Sequence, residues 1–68
     1  MKLSARNQLQ GTVTAVDRGP ISARIQIDVG NGIIITSKTT CAAADDLELV
    51  VGDTVTALFK SSDVIVGK

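Results

Sequence analysis

The chain has 68 residues, with seven basic and seven acidic side chains, no histidine, one cysteine and a single aromatic, Phe59. Zero net charge and one aromatic argue against a nucleic-acid binder, whose affinity rests on clustered cations against phosphate and on rings that stack with bases. One cysteine cannot close an internal disulfide, and without histidine there are too few ligands for a structural zinc site.

A single domain over residues 1–68 buries only about 60% of its unfolded surface, so its core is marginal on its own. With disulfide and metal set aside, and 44% of the residues hydrophobic, self-association is the expected remedy. Met1-Lys2-Leu3 leads straight into polar residues, which is not a signal-peptide pattern. No apolar run reaches transmembrane length. Together with the lone cysteine, this predicts a cytoplasmic location.

In chain order, Ser4-Ala5-Arg6-Asn7 sets a fixed cation beside small hydroxyl and amide donors. From Leu9 to Val16 apolar residues and threonines alternate with period two, the pattern of a half-buried strand. Gly11 inside that run marks a bulge, a bend or the close approach of another backbone. Asp17-Arg18-Gly19-Pro20 breaks the strand. Ser22 to Val29 gives the clearest strand, with Ala23, Ile25, Ile27 and Val29 on one face. Gly30-Asn31-Gly32 is a hairpin turn. Ile33-Ile34-Ile35 then reads as a third strand, apolar on both faces and so in need of cover on both sides.

Thr36 to Thr40 is polar and offers a helix N-cap at Thr39 or Thr40. One or two helical turns are expected over Cys41–Leu47. After the Gly52-Asp53 turn, Thr54 to Lys60 is a strand with Val55, Ala57 and Phe59 on one face. Ser61-Ser62-Asp63 turns the chain, and Val64-Ile65-Val66 reads as a fifth short strand. The expected fold is all-β: a five-stranded OB-like Greek-key barrel with one short helix between strands 3 and 4. An SH3-like barrel shares the strand count.

Two segments carry the candidate chemistry, Ser4-Ala5-Arg6-Asn7 and Lys60-Ser61-Ser62. Both are rich in donors: guanidinium, ammonium, hydroxyl and backbone N–H. They suit a cradle for a compact oxyanion and suit neither a metal chelate nor a catalytic triad. The alternative is a pair of ordinary surface cations. Cys41 has no histidine to activate it and reads as a small buried hydrophobe. Asp45-Asp46 are adjacent on a helix, point in different directions and read as a solvated face. Gly30-Asn31-Gly32 lacks the following helix and the Gly-Lys-Thr/Ser ending of a phosphate loop. With no general base or nucleophile, the sequence points to a binding protein rather than an enzyme.

Ser4-Ala5-Arg6-Asn7 followed by Gly11, Ile35-Thr36-Ser37 with Thr40, Gly52-Asp53 leading into Val55-Thr56-Ala57, and Lys60-Ser61-Ser62-Asp63-Val64 together resemble the molbindin (Mop) domain. These are small cytoplasmic molybdate- and tungstate-binding proteins of the molybdenum-pterin-binding, TOBE type. The resemblance implies a homohexamer, a trimer of dimers, holding oxyanions between subunits for storage and homeostasis. It implies no organic cofactor and no metal ligated directly by the protein. By position, one site would take Ser4, Ala5 and Arg6 from one chain and Thr40, Lys60 and Ser61 from a neighbour. A second site near the threefold axis would fall at Gly19, Ile21 and Ser22. This chain departs from the family at Pro20-Ile21-Ser22-Ala23, where relatives often carry Val-Asn-Ala, and at Ala43, where a serine donor is common. The competing readings are an OB-like nucleic-acid or oligosaccharide-binding module and a purely structural assembly domain. Neither a nucleic-acid nor a membrane partner is expected.

Overall fold

The computed structural model describes residues 4–68; Met1-Lys2-Leu3 lie outside the described residues. Four strands run β1 (Asn7–Arg18), β2 (Ser22–Asp28), β3 (Ile34–Thr40) and β4 (Thr54–Phe59). One helix, α1 (Cys41–Asp46), follows β3, and a single 3-10 turn, Ser61–Asp63, follows β4. The sheet order is β3-β2-β1-β4, with every neighbouring pair antiparallel. Three hairpin-linked strands with the fourth returning beside the first are a Greek key.

The alternation read in the sequence builds the core. Ala23, Ile25 and Ile27 of β2 are buried with Val13 of β1, Ala57 of β4 and Ala44 of α1. Val16, Val29, Ile35, Leu49 and Val55 pack around them, half-buried. The ladder between β1 and β2 slips between Val13 and Ala15, a β-bulge that bends the long first strand. A Cβ built at Gly11 would lie 2.6 Å from the Asp28 carbonyl oxygen and 2.7 Å from Ile27 Cγ2. That glycine is where a neighbouring backbone comes close. At the β2–β3 hairpin, Gly30, Asn31 and Gly32 have φ of 103°, 54° and 75°, and the Asp28 carboxylate accepts the Gly30 N–H at 2.8 Å.

One expectation needs correction and one is extended. Thr36 to Thr40, read as a polar stretch offering a helix N-cap, also forms the second half of β3, where Thr36, Ser37, Lys38 and Thr39 pair with Gln26, Ile25, Arg24 and Ala23. Threonines tolerate a pleated edge well, and with Ser37 and Lys38 they form a polar outer strand. The fifth strand is absent among the described residues: Val64-Ile65-Val66 is irregular and has no ladder partner there, so the described residues contain four strands, not five. A strand exists only through its neighbour, and this segment has none among the described residues.

Helix α1 begins where its cap dictates. Thr40 has extended backbone, φ −79° and ψ 152°, and its hydroxyl oxygen accepts the Ala43 N–H at 3.0 Å. Thr40→Ala is expected to cost about 1 kcal/mol, lowering Tm by about 4–8 °C. Thr40→Ser should recover most of the loss in the same thermal melt.

Candidate oxyanion site

The antiparallel pairing of β1 with β4 sets Asn7 opposite Phe59. The segment before β1 therefore runs beside the segment after β4, although more than fifty residues separate them in sequence. Between them lies an open depression of about 320 Å³ lined by Ser4, Ala5, Leu58, Phe59, Lys60 and Asp63. Gln8 holds its near wall by donating from Nε2 to the Ala5 carbonyl at 3.2 Å. Arg6 is exposed next to this wall, and Ser61 opens the 3-10 turn on the other side.

Among the described residues, neither the Arg6 guanidinium nor the Lys60 ammonium has a carboxylate partner. The ion pairs found there are Arg18 with Asp45 at 2.8 Å and Arg24 with Asp17 at 3.0 Å, both at the surface. Two cations without carboxylate partners, beside hydroxyls, have their donors free for an external acceptor.

Asp63 is the lining residue that the sequence reading did not select. Its Oδ2 accepts the Lys60 backbone N–H at 3.1 Å, which fixes how the chain leaves β4 and where the lysine side chain starts. The signal was available: an acidic residue three positions after the start of a turn is half of a capping box.

Thr40 is elsewhere. It sits opposite Ser22 at the far end of the β2–β3 ladder, whereas Ser4 and Lys60 flank the opposite end of the 12-residue β1. Around Thr40 are the residues of the second candidate group. The Cys41 N–H donates to the Ile21 carbonyl at 2.7 Å, and the Gly19 N–H donates to the Ser22 carbonyl at 2.8 Å. Cys41 is half-buried and its Sγ donates to the Gly19 carbonyl at 3.4 Å. One chain thus brings Ser4, Ala5 and Lys60 together, with Arg6 and Ser61 alongside. It separately brings Thr40 to Gly19, Ile21 and Ser22. For Thr40 to meet Lys60, a second copy must supply one of them.

No group of three or more His, Cys, Asp or Glu side chains able to hold a metal ion occurs among the described residues. The depression is lined by the Lys60 ammonium and the Ser4 hydroxyl together with apolar Leu58 and Phe59 and the Asp63 carboxylate, whose Oδ2 accepts the Lys60 N–H; the ammonium and hydroxyl are donors suited to hydrogen-bonding an oxyanion.

Comparison with known proteins places the chain in a family. Residues 3–66 match the TOBE domain. The chain is 42% identical over 67 residues to the probable molybdenum-pterin-binding protein of Haemophilus influenzae, covering 98% of this chain and 97% of that protein. It superposes with a TM-score of 0.93 and 40% identity on the high-resolution structure of a molybdate-binding protein from Sporomusa ovata, over 100% of both chains. A molybdate-bound structure of the cytoplasmic molybdate-binding protein ModG aligns with a TM-score of 0.91 and 38% identity over 96% of this chain, which spans 46% of that one. The chain belongs to the TOBE-domain family, among its small molybdenum-pterin-binding proteins of the molbindin (Mop) type.

Proposed function

We propose that this protein binds molybdate, with tungstate as an alternative ligand, at the subunit contacts of a homo-oligomer, and that it stores and buffers the anion in the cytoplasm without chemical change. The observation that carries the reading is the depression where Lys60 meets Ser4 and Ala5, next to Arg6 and Ser61. Its cations have no carboxylate partner among the described residues. Molybdate is a tetrahedral dianion that only accepts hydrogen bonds, so two cations balance its charge while hydroxyls and amides saturate its oxygens. The relatives named above are molybdenum-pterin- and molybdate-binding proteins.

The single-chain depression is open, and an anion there still competes with water. A neighbouring subunit that adds Thr40 would close it and strengthen every bond by excluding solvent. A hexamer built as a trimer of dimers fits this requirement, with Gly19, Ile21 and Ser22 forming a second, less charged site. Binding only to the assembled form stabilises the assembly by mass action. No organic cofactor, nucleic acid or membrane enters the reading. No helix of the described residues is long and apolar enough to cross a membrane.

Calorimetric titration with molybdate, repeated in excess sulfate, tests the proposal. Saturable uptake at micromolar ligand that survives sulfate supports it. Absence of uptake, or uptake abolished by the excess sulfate, overturns it.

A further inference from the structure

Asp63 shares the depression with Lys60 and Ser4 and is the acidic member of its lining. Its carboxylate does not neutralise the lysine: among the described residues no ion pair joins the two side chains. Oδ2 instead accepts the Lys60 backbone N–H at 3.1 Å, and the Asp63 N–H donates to the Lys60 carbonyl at 2.9 Å. These two bonds close the 3-10 turn on itself and fix the stem from which the lysine side chain extends. Both residues are exposed in the single chain, so the negative charge stands beside the ammonium on an open wall.

The turn needs the oxygen of Asp63 and not its charge. An asparagine side chain also offers an oxygen that accepts a backbone N–H, and the two residue types cap helical turns about equally well. The charge works against anion binding, because a carboxylate on the wall of an oxyanion site repels its ligand. Arg6 and Lys60 together match the charge of a dianion. With Asp63 beside them, the chain supplies one net positive charge at this place.

We infer that Asp63 sets the affinity of the site: its oxygen positions Lys60, while its charge holds the grip on a doubly charged oxyanion below what the two cations alone would give. A store must release its anion, and this carboxylate favours release. Coulomb repulsion grows in proportion to the charge of the ligand. Asp63 therefore costs a dianion about twice the free energy that it costs a monoanion of the same shape. Dianions are all penalised alike, so selection among them by size rests on other residues. The inference rests on the oxyanion-binding reading above.

Asp63→Asn and Asp63→Ala separate the two roles in the full chain. By calorimetry, Asp63→Asn should bind molybdate about 10-fold more tightly than the unmodified protein, since the oxygen stays and the charge goes. Asp63→Ala loses both, and should bind on the order of 10-fold more weakly than Asp63→Asn because the Lys60 N–H loses its acceptor. Displacement of bound molybdate by perrhenate, a tetrahedral monoanion, reads the charge separately. Asp63→Asn should tighten perrhenate by only about 3-fold, the square root of the molybdate gain. Equal gains for the two anions would mean an effect relayed through the fold, and would overturn the inference. So would an Asp63→Asn protein that binds molybdate no more tightly than the original. An Asp63→Ala protein as tight as Asp63→Asn would overturn the positioning role. If the unmodified protein binds no molybdate, the oxyanion-binding reading itself falls. If it binds molybdate and Asp63→Asn leaves the affinity unchanged, the inference alone falls.

Discussion

Lys60→Ala and Arg6→Ala are each expected to weaken molybdate binding by about 2–3 kcal/mol, roughly 30- to 150-fold in dissociation constant. A hydrogen bond to a charged group, made where a neighbouring subunit excludes water, is worth this much. Removing it also leaves the dianion under-neutralised. Both side chains are exposed in the single chain and neither has a carboxylate partner among the described residues, so stability should change by no more than about 0.5 kcal/mol. Lys38→Ala supplies the control. Lys38 is an exposed cation in the middle of β3, away from the Ser4–Lys60 depression, and its loss should leave affinity unchanged. Calorimetry of the three variants separates a specific pair of cations from a general positive field. Equal affinities across all three would remove Arg6 and Lys60 from the site.

The largest expected effect on the fold comes from Gly11→Ala. The added Cβ would meet the Asp28 carbonyl oxygen at 2.6 Å, Ile27 Cγ2 at 2.7 Å and Val29 Cγ1 at 3.0 Å. The first is backbone of β2, held between β1 and β3, and the second belongs to a core residue 6% exposed. Neither yields cheaply. We expect a loss of about 3 kcal/mol, typical of overpacking a tight core. For a domain of this size that lowers Tm by about 10–25 °C, read by thermal melting. A Gly11→Ala protein with unchanged Tm would mean that β1 and β2 do not approach as described.

Much of the fold was legible because its signals are local. The period-two run from Ser22 predicted β2 and its buried face of Ala23, Ile25 and Ile27, and these side chains are in the core. The Gly30-Asn31-Gly32 turn needs positive φ, which glycine and asparagine supply. The threonines before the run of alanines offered a cap at Thr39 or Thr40, and Thr40 is the one that caps α1. Asp45 was expected on a solvated face, and it is exposed and paired with Arg18.

What sequence could not supply is relational. The polar stretch Thr36–Thr40 carries no apolar alternation that marks it as strand, yet an outer strand tolerates polar residues, and it completes β3. Val64-Ile65-Val66 has strand-forming residues and no ladder partner among the described residues. At the candidate site, the two donor-rich segments could be chosen by residue type. Their meeting within one chain could not, because it depends on the Asn7–Phe59 register of β1 with β4. Asp63 is a different case: its hold on the Lys60 N–H is a local contact within the 3-10 turn.

Native mass spectrometry of the unmodified protein, with and without molybdate, bears most directly on the idea that anion and assembly go together. The expected spectrum shows a symmetric oligomer whose mass rises by whole molybdate ions, with more of the oligomer as the anion is added. A chain that stays monomeric at micromolar molybdate and retains no anion would contradict it.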